Sequence, residues 1–177
     1  LIKLLSELAM ENTKCDFQFG ESDLIEKDWS ARGIDIGELY LSPNAGEALR
    51  PLAKILSGGE LSRVMLALKT LASADAHGKT LIFDEVDSGI GGAIAEVVGN
   101  KLKDLGQNKQ VLCVTHLAQV ASKGKSHLRI NKLTDNKKTK IYATQLNPDE
   151  RIEEIARMIG GIELTEKTRE YAKEMLA

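Results

Sequence analysis

The sequence predicts an α/β fold, mainly a parallel sheet with flanking helices and an antiparallel hairpin. Through the middle of the chain, apolar helical stripes alternate with short apolar strands, and a hairpin pattern follows them. The 177 residues are enough for one domain or for a piece of a larger one. Apolar residues make up 42% and charged residues 28%, as in ordinary globular domains, so a packed core is expected.

The first part of the chain predicts a helix and then two strands. Leucines at helical spacing predict an amphipathic helix over residues 1 to about 12. Residues 15–19 and 34–41 alternate apolar and polar side chains, the pattern of half-buried strands, and a polar turn over 20–33 joins them. These strands are expected to pair antiparallel, and a loop containing Pro51 leads away from them.

The middle of the chain predicts the parallel part of the sheet. Apolar helical stripes cover residues 61–71 and 94–105, and short apolar strands cover 80–83 and 110–115. Strands that alternate with helices of this length favour parallel pairing with right-handed crossovers. Ligands in such sheets bind at the carboxyl ends of the strands. In this chain the residues at those ends are Asp84, Glu85, Thr115 and His116.

The last part of the chain predicts a hairpin and two helices, over residues 128–133, 139–144, 148–159 and 165–176. Asn147 offers an N-cap, Pro148 suits the first helical position, and Glu150 stands three residues after the cap. The first of the two helices should therefore begin at a capping box.

Composition excludes several classes of protein. The net charge of −2, from 24 Lys and Arg against 26 Asp and Glu, gives no global field for nucleic acid. Two cysteines cannot form a disulfide framework, which predicts reduced thiols and a cytosolic compartment. No apolar stretch approaches the ~20 residues of a membrane span, and no signal peptide stands at the start. The first residue is not Met, which predicts that the chain begins inside a longer protein.

Asp84 and Glu85 are the first candidates for chemistry. A buried strand that delivers a carboxylate to Mg²⁺ beside a nucleotide is the Walker B arrangement, and a second carboxylate can orient and deprotonate an attacking water. The alternative is that two acids merely end a strand and face water.

Ser57-Gly58-Gly59-Glu60 is the second candidate, at the start of a helix. Ser followed three residues later by Glu is also a capping box. Two consecutive glycines suit a backbone that must approach a phosphate closely at a helix N-terminus. The capping and the phosphate-binding functions are compatible.

His116 is the third candidate, because it follows a strand of the same kind as the one before Asp84. An isolated histidine is more often structural than catalytic, and its position at a strand end favours a functional role. The sequences Gly78-Lys79-Thr80 and Gly124-Lys125-Ser126 imitate the end of a P-loop. Both lack its first glycine, so the chain contains no P-loop.

The order of these motifs resembles the C-terminal half of an ATP-binding-cassette (ABC) ATPase. Residues 56–60 match the signature motif, 81–85 match Walker B with its catalytic Glu, and 115–116 match the switch His. Asp87 to Gly92 resembles the D-loop region of the SMC-like branch. The segments that resemble the bacterial RecN family of double-strand-break repair ATPases are 44–52, 61–69, 115–121 and 151–161. The resemblance implies the C-terminal portion of an ABC-type head that lacks the P-loop lobe.

The resemblance also implies a role for each motif. In this family two heads sandwich two ATP molecules, each held by the P-loop of one head and the signature of the other. Asp84 would hold Mg²⁺, Glu85 would orient the attacking water, and His116 would contact the γ-phosphate. Residues 1–12 would be the stub of a returning coiled coil, and 13–177 the C-terminal part of the head. The residues expected to bind the nucleotide of a partner head, or to lie between the heads, are Ser57, Gly58, Gly59, Glu60, Asp87 and Ser88.

The implied cofactors are ATP and Mg²⁺. The implied partners are the N-terminal P-loop segment of the same protein, a second identical head, and DNA contacted through the full-length protein, with no membrane partner. The full-length protein would be a cytoplasmic, nucleoid-associated ATPase that drives DNA tethering. This chain alone is expected to be inactive, because it has no P-loop.

Two alternatives stay open at this point. A transporter nucleotide-binding domain shares the three motifs but normally carries Gln where Glu60 stands. A non-catalytic dimerisation or DNA-binding module would keep the fold without turnover, although the intact Asp84, Glu85 and His116 argue against it. The basic residues between 123 and 140 are the best candidates for DNA contact, although such a run is usually a solvated face.

Overall fold

The computed structural model describes residues 1–20, 31, 33, 35–54, 58–72, 79–135, 138–161 and 164–177. The helices are α1 (Ile2–Glu7), α2 (Gly58–Leu71), α3 (Gly92–Leu105), α4 (Ala118–Ala121), α5 (Pro148–Gly160) and α6 (Glu166–Leu176), with a short 3-10 helix at Leu52–Lys54. The strands are β1 (Lys14–Phe19), β2 (Gly37–Ser42), β3 (Arg50–Pro51), β4 (Thr80–Phe83), β5 (Gln110–Cys113), β6 (Leu128–Asp135) and β7 (Lys138–Gln145). Within these ranges, no helix is long and apolar enough to cross a membrane.

Helix α1 is shorter than the predicted helix, which was expected to reach residue 12. It ends at Glu7, and the amides of Leu8 and Met10 both donate to the carbonyl of Leu5. Ala9 between them has a φ of 61°, in the left-handed region that ends a helix. The reason lies in the packing, because this turn directs both Leu8 and Met10 into the main core.

The predicted antiparallel pair of strands forms β1 and β2, in a register that places Cys15 opposite Leu41 and Phe17 opposite Leu39. Strand β2 begins at Gly37, three residues later than predicted, and the predicted turn falls mostly outside the described residues. A short third strand, β3, pairs with the other side of β2 where the sequence predicted a loop. Pro51 is tolerated there because an edge strand can leave a ladder hydrogen bond unmade.

Strands β4 and β5 form the predicted parallel pair, from Thr80 opposite Gln110 to Phe83 opposite Cys113. Helices α2 and α3 cover one face of the pair with the main core, whose fully buried members are Leu5, Leu8, Leu41, Val64, Leu66, Ala67, Val86, Ala95 and Val98. The α/β prediction is confirmed, although among the described strands the parallel pairing is limited to β4 and β5 and the other two sheets are antiparallel.

The last part of the chain follows the prediction closely. Strands β6 and β7 form a hairpin, in which Ile130 lies opposite Ala143. The capping box before α5 is present: the Glu150 amide donates to Asn147 Oδ1 at 2.9 Å, and the Asn147 amide donates to Glu150 Oε2 at 2.9 Å. Helices α4, α5 and α6 share a second, smaller core, built on Ala118, Ile155, Ala156 and Ala172.

Candidate functional site

The two acids after β4 stand at a sharp turn of the backbone. Asp84 and Glu85 are both exposed directly after the strand. Glu85 has a φ of 57°, in the left-handed region that non-glycine residues seldom adopt. The amide of Ser88 donates to the carbonyl of Glu85 at 2.9 Å and closes the turn. The turn therefore presents two carboxylates to solvent at the carboxyl edge of the parallel pair.

The start of helix α2 lies against this turn. Ser62 Oγ donates to the Asp84 carbonyl at 2.7 Å, and Arg63 Nη1 donates to the Ser88 carbonyl at 2.8 Å. A Cβ on Gly58 would collide with Glu85 Oε2, and one on Gly59 would come within 2.9 Å of Ser88 Cβ. Gly59 is thus needed for close approach, and its neighbour is this chain's own loop over residues 85–88. At Gly58 the neighbouring atom is the end of the flexible Glu85 side chain, which can move away.

Three of the four predicted signature residues lie at the start of α2. Gly58 and Gly59 open α2, and Glu60 stands in its first turn. Ser57 lies outside the described residues. The sequence therefore placed the glycines and Glu60 correctly at a helix start.

Asp87 links the turn after β4 to the loop after β5. Its side chain is only 3% exposed. Asp87 Oδ2 accepts hydrogen bonds from Thr115 Oγ1 at 2.5 Å and from the His116 amide at 3.0 Å, and it lies 3.2 Å from His116 Nδ1. The predicted strand reached residue 115, whereas β5 ends at Cys113, and Thr115 and His116 bond to Asp87 instead of a neighbouring strand. Asp87 and Ser88 are also the residues expected between heads; within this chain the Asp87 side chain is buried and Ser88 is exposed.

His116 presents its imidazole to solvent, with 72% of the side chain exposed, on the loop that leaves the parallel pair. The backbone on either side is fixed, because the Val114 amide donates to the Phe83 carbonyl at 2.9 Å and the Leu117 amide to Thr115 Oγ1 at 3.1 Å. An exposed imidazole on a fixed backbone can donate to an anion that arrives from solvent.

Arg63 is a residue of this site that the motif analysis missed. It is buried, and burial lowers the pKa of its guanidinium while Glu60 opposes that shift. Its Nε is buried without a hydrogen-bond partner among the described residues. The available signal was an arginine inside the apolar stripe of α2, since a buried arginine normally needs a specific acceptor. Here that acceptor is the Ser88 carbonyl.

Cys113, at the end of β5, is a structural thiol. Burial, together with the charges of Asp87 and Asp84, raises the pKa of this thiol to about 12. The thiol is therefore neutral near pH 7 and a poor nucleophile, as the sequence predicted for a cysteine in an apolar strand.

In the part of the chain that the structure describes, no three His, Cys, Asp or Glu side chains are grouped so as to hold a metal ion. The exposed carboxylate of Asp84 nevertheless suits Mg²⁺, which usually takes one or two carboxylates together with waters and substrate phosphates.

The basic run is partly neutralised by nearby acids. Lys123 Nζ lies 3.0 Å from Glu96, and Arg129 Nη1 lies 3.7 Å from the buried Glu154. The pattern agrees with a largely solvated face more than with a continuous basic surface.

Comparison with known proteins identifies relatives over the whole chain. No family model matches it. It is 43% identical over 177 residues to the DNA repair protein RecN of Deinococcus radiodurans, covering 100% of this chain and 30% of that protein. The RecN proteins of Halalkalibacterium halodurans (44% over 172 residues; 97% and 30%) and Vibrio cholerae (42% over 180 residues; 99% and 32%) are similar. The chain thus spans less than a third of the length of these relatives.

Solved structures with the same fold are SMC heads. The Smc head domain with a coiled coil and joint derived from Pyrococcus yayanosii aligns with a TM-score of 0.56 at 16% identity, covering 87% of this chain and 27% of that one. A Smc head domain derived from Pyrococcus furiosus aligns with a TM-score of 0.51 at 16% identity, covering 88% and 36%. Both the predicted head fold and the predicted resemblance to RecN are confirmed.

Proposed function

Because this chain is related over nearly its whole length to the RecN family of DNA repair proteins, we propose that it is the C-terminal part of an ATP-hydrolysing head. In the longer protein, this head dimerises on ATP and drives double-strand-break repair and recombination by tethering DNA. The relatives are DNA repair proteins, so we do not propose a transporter domain.

One observation carries the proposal: the signature helix, the two acids and the switch loop meet at one edge of the parallel pair. Ser62 and Arg63 tie α2 to the turn after β4, and Asp87 ties that turn to His116. Such an edge can bring a base and an anion donor within reach of one phosphate chain, while the helix N-terminus beside them can face the nucleotide of a second head.

Each residue has a proposed role at this edge. Asp84 holds Mg²⁺, Glu85 orients and deprotonates the attacking water, and His116 donates to the γ-phosphate. The residues proposed to bind the ATP of a second head, or to line the contact between heads, are Ser57, Gly58, Gly59, Glu60, Asp87 and Ser88. When bound, Mg²⁺ neutralises charge on the phosphates.

The face of the parallel pair that points away from the main core is the evidence for a partner segment from the same protein. Ile82 is 70% exposed, Leu112 46% and Val114 62%, and Ile82 lies directly opposite Leu112 in the register. Parallel sheets are normally covered on both faces, so this bare apolar face suits a further layer of protein. We propose that the N-terminal segment with the P-loop covers this face. We also propose that residues 1–12 are the stub of the returning coiled coil. The assembled protein acts in the cytoplasm at the nucleoid.

Glu85→Gln in the full-length protein tests this function. The amide cannot accept the water's proton, so ATP turnover should fall by ~10²–10⁴-fold while ATP binding and ATP-dependent dimers persist. Steady-state assays measure ATP turnover, a nucleotide-binding assay measures ATP affinity, and light scattering with ATP measures dimer formation.

Glu174→Gln, an exposed position on α6, is the matched control and should hydrolyse ATP at the unmodified rate. The chain of 177 residues alone should not hydrolyse ATP, because it has no P-loop. Normal turnover in Glu85→Gln would remove Glu85 from the role of base, and turnover by the isolated chain would overturn the half-head assignment.

A further inference from the structure

Arg151, on the second turn of α5, lies against the end of the short helix α4. Its Nη2 donates to the Ser122 carbonyl at 3.0 Å, to the Ala121 carbonyl at 3.4 Å and, at shorter range, to the Gly124 carbonyl. The last carbonyls of a helix have no partner within the helix, and a cation is favourable beside them. One guanidinium thus satisfies several carbonyls of one turn.

This turn is the far end of the segment that carries His116. Only Leu117 separates the histidine from α4, which runs from Ala118 to Ala121. At the near end, the His116 amide is bound by the buried carboxylate of Asp87. The segment from β5 to the turn after α4 is therefore held at two points. The Asp87 carboxylate binds it before α4, and the Arg151 guanidinium binds it after α4.

Helix α4 also packs closely against α3 and α5. A Cβ on Gly99 of α3 would come within 2.9 Å of the Gln119 carbonyl, so α3 and α4 approach at backbone distance. On another side, Ala118 packs with Ile155 and Ala156 of α5 in the smaller core. Arg151 lies four residues after Asn147, in a helix whose first turn is closed by the Asn147–Glu150 capping box.

We propose that Arg151 is a positioning residue for His116: by holding the carbonyls after α4, it fixes the loop that aims the imidazole at the nucleotide edge. This inference rests on the proposed ATPase function. An arginine suits the task because both of its terminal nitrogens are engaged: Nη2 donates to the carbonyls named above, and Nη1 donates to the Lys125 carbonyl at 3.5 Å. A lysine has one nitrogen and lacks this planar fork.

The test is a double-mutant cycle in the full-length protein, with His116→Ala, Arg151→Met and the double variant. A misplaced group costs up to about 100-fold in rate, and we expect Arg151→Met to lower kcat by about 5- to 50-fold with little change in KM. Arg151→Lys should recover part of the loss. If Arg151 acts through His116, the double variant should be no slower than His116→Ala alone.

Arg169→Met is the matched control, since Arg169 bonds to Glu153 on the surface between α5 and α6 and should leave turnover unchanged. Deuterium exchange of the segment 114–124 provides a readout that does not depend on activity, and it should rise in Arg151→Met and stay unchanged in Arg169→Met.

Unchanged turnover in Arg151→Met, unchanged exchange, or losses that add in the double variant would each overturn the inference. Should Arg151→Met fail to fold, the same cycle with Arg151→Lys decides. If Glu85→Gln blocks turnover while Arg151→Met does not, only the role of Arg151 fails. If the full-length protein without substitutions hydrolyses no ATP, the proposed ATPase function fails, whatever the exchange of segment 114–124 shows.

Discussion

At the residue scale, the site depends on backbones that approach more closely than side chains permit. A Cβ on Gly59 would lie 2.9 Å from Ser88 Cβ, 3.1 Å from the Ser88 carbonyl oxygen and 3.2 Å from that of Glu85. None of these atoms is the free end of a flexible side chain, so the loop itself would have to move. The spacing between α2 and the acids is set by the absence of a side chain at this position.

Gly59→Ala should therefore destabilise the chain, although alanine favours helices more than glycine does. Overpacking costs typically about 1–3 kcal/mol, which exceeds the gain of up to ~1 kcal/mol in helix propensity. Chemical denaturation measures the free energy of unfolding. Gly91→Ala is the control, because a Cβ there would meet nothing within 4 Å and its φ of −169° suits any residue. Equal stability of the two variants would contradict the close-approach argument.

At the scale of elements, α5 is the helix that connects the switch loop to the end of the chain. Its Arg151 binds the turn after α4, and its buried Glu154 accepts from Arg157 at 2.6 Å and lies 3.7 Å from Arg129 on β6. The helix holds these positions because its first turn is closed by the Asn147–Glu150 capping box. A loose first turn would free Arg151, which is only four residues after the cap.

Asn147→Ala should cost about 1 kcal/mol of stability, the usual loss for an N-cap that accepts from the helix backbone. Thermal or denaturant unfolding measures the loss, and exchange of the first amides of α5 should increase. Asn100→Ala, at an exposed position inside α3, is the matched substitution and should change stability by less than about 0.5 kcal/mol. A loss at Asn100 as large as that at Asn147 would argue against capping.

At the scale of the whole molecule, a polar cluster joins α5, β6 and the turn before it. Hydrogen bonds from Arg157 hold the pKa of Glu154 below its usual 4.5. Burial, with Arg151 close by, lowers the pKa of His127 below its usual 6.5. In both cases the unfolded chain binds a proton more readily than the folded one, so stability falls as pH falls.

Unfolding measured from about pH 7.5 to about pH 3 should show two losses of stability. The first, from His127, begins as pH falls through about 6.5, and the second, from Glu154, begins below about 4.5. His127→Gln should remove the first loss and leave the second. A profile that rises toward acid pH, or a first loss that survives in His127→Gln, would contradict this assignment.

Much of this protein was predictable from sequence because the signals are local. The alternation of stripes and strands identified β4, α3 and β5, and the pattern at Asn147 identified the start of α5. Three motifs in order identified the family, although each of them alone has an ordinary structural explanation. The predicted helix over 1–12 was too long because periodicity does not report where a chain must bend to bury Leu8 and Met10.

The sequence by itself determined the fold class, the starts of α2 and α5, and the residue types available at the carboxyl ends of β4 and β5. Only the tertiary structure decided which side chains around these strand ends contact each other. It turned Asp87 inward to the His116 amide, buried Arg63 on the Ser88 carbonyl, and placed Arg151 on the turn after α4. The physical reason is that periodicity and capping act within a few residues, whereas these contacts join residues 25 to 29 positions apart, which only packing brings together.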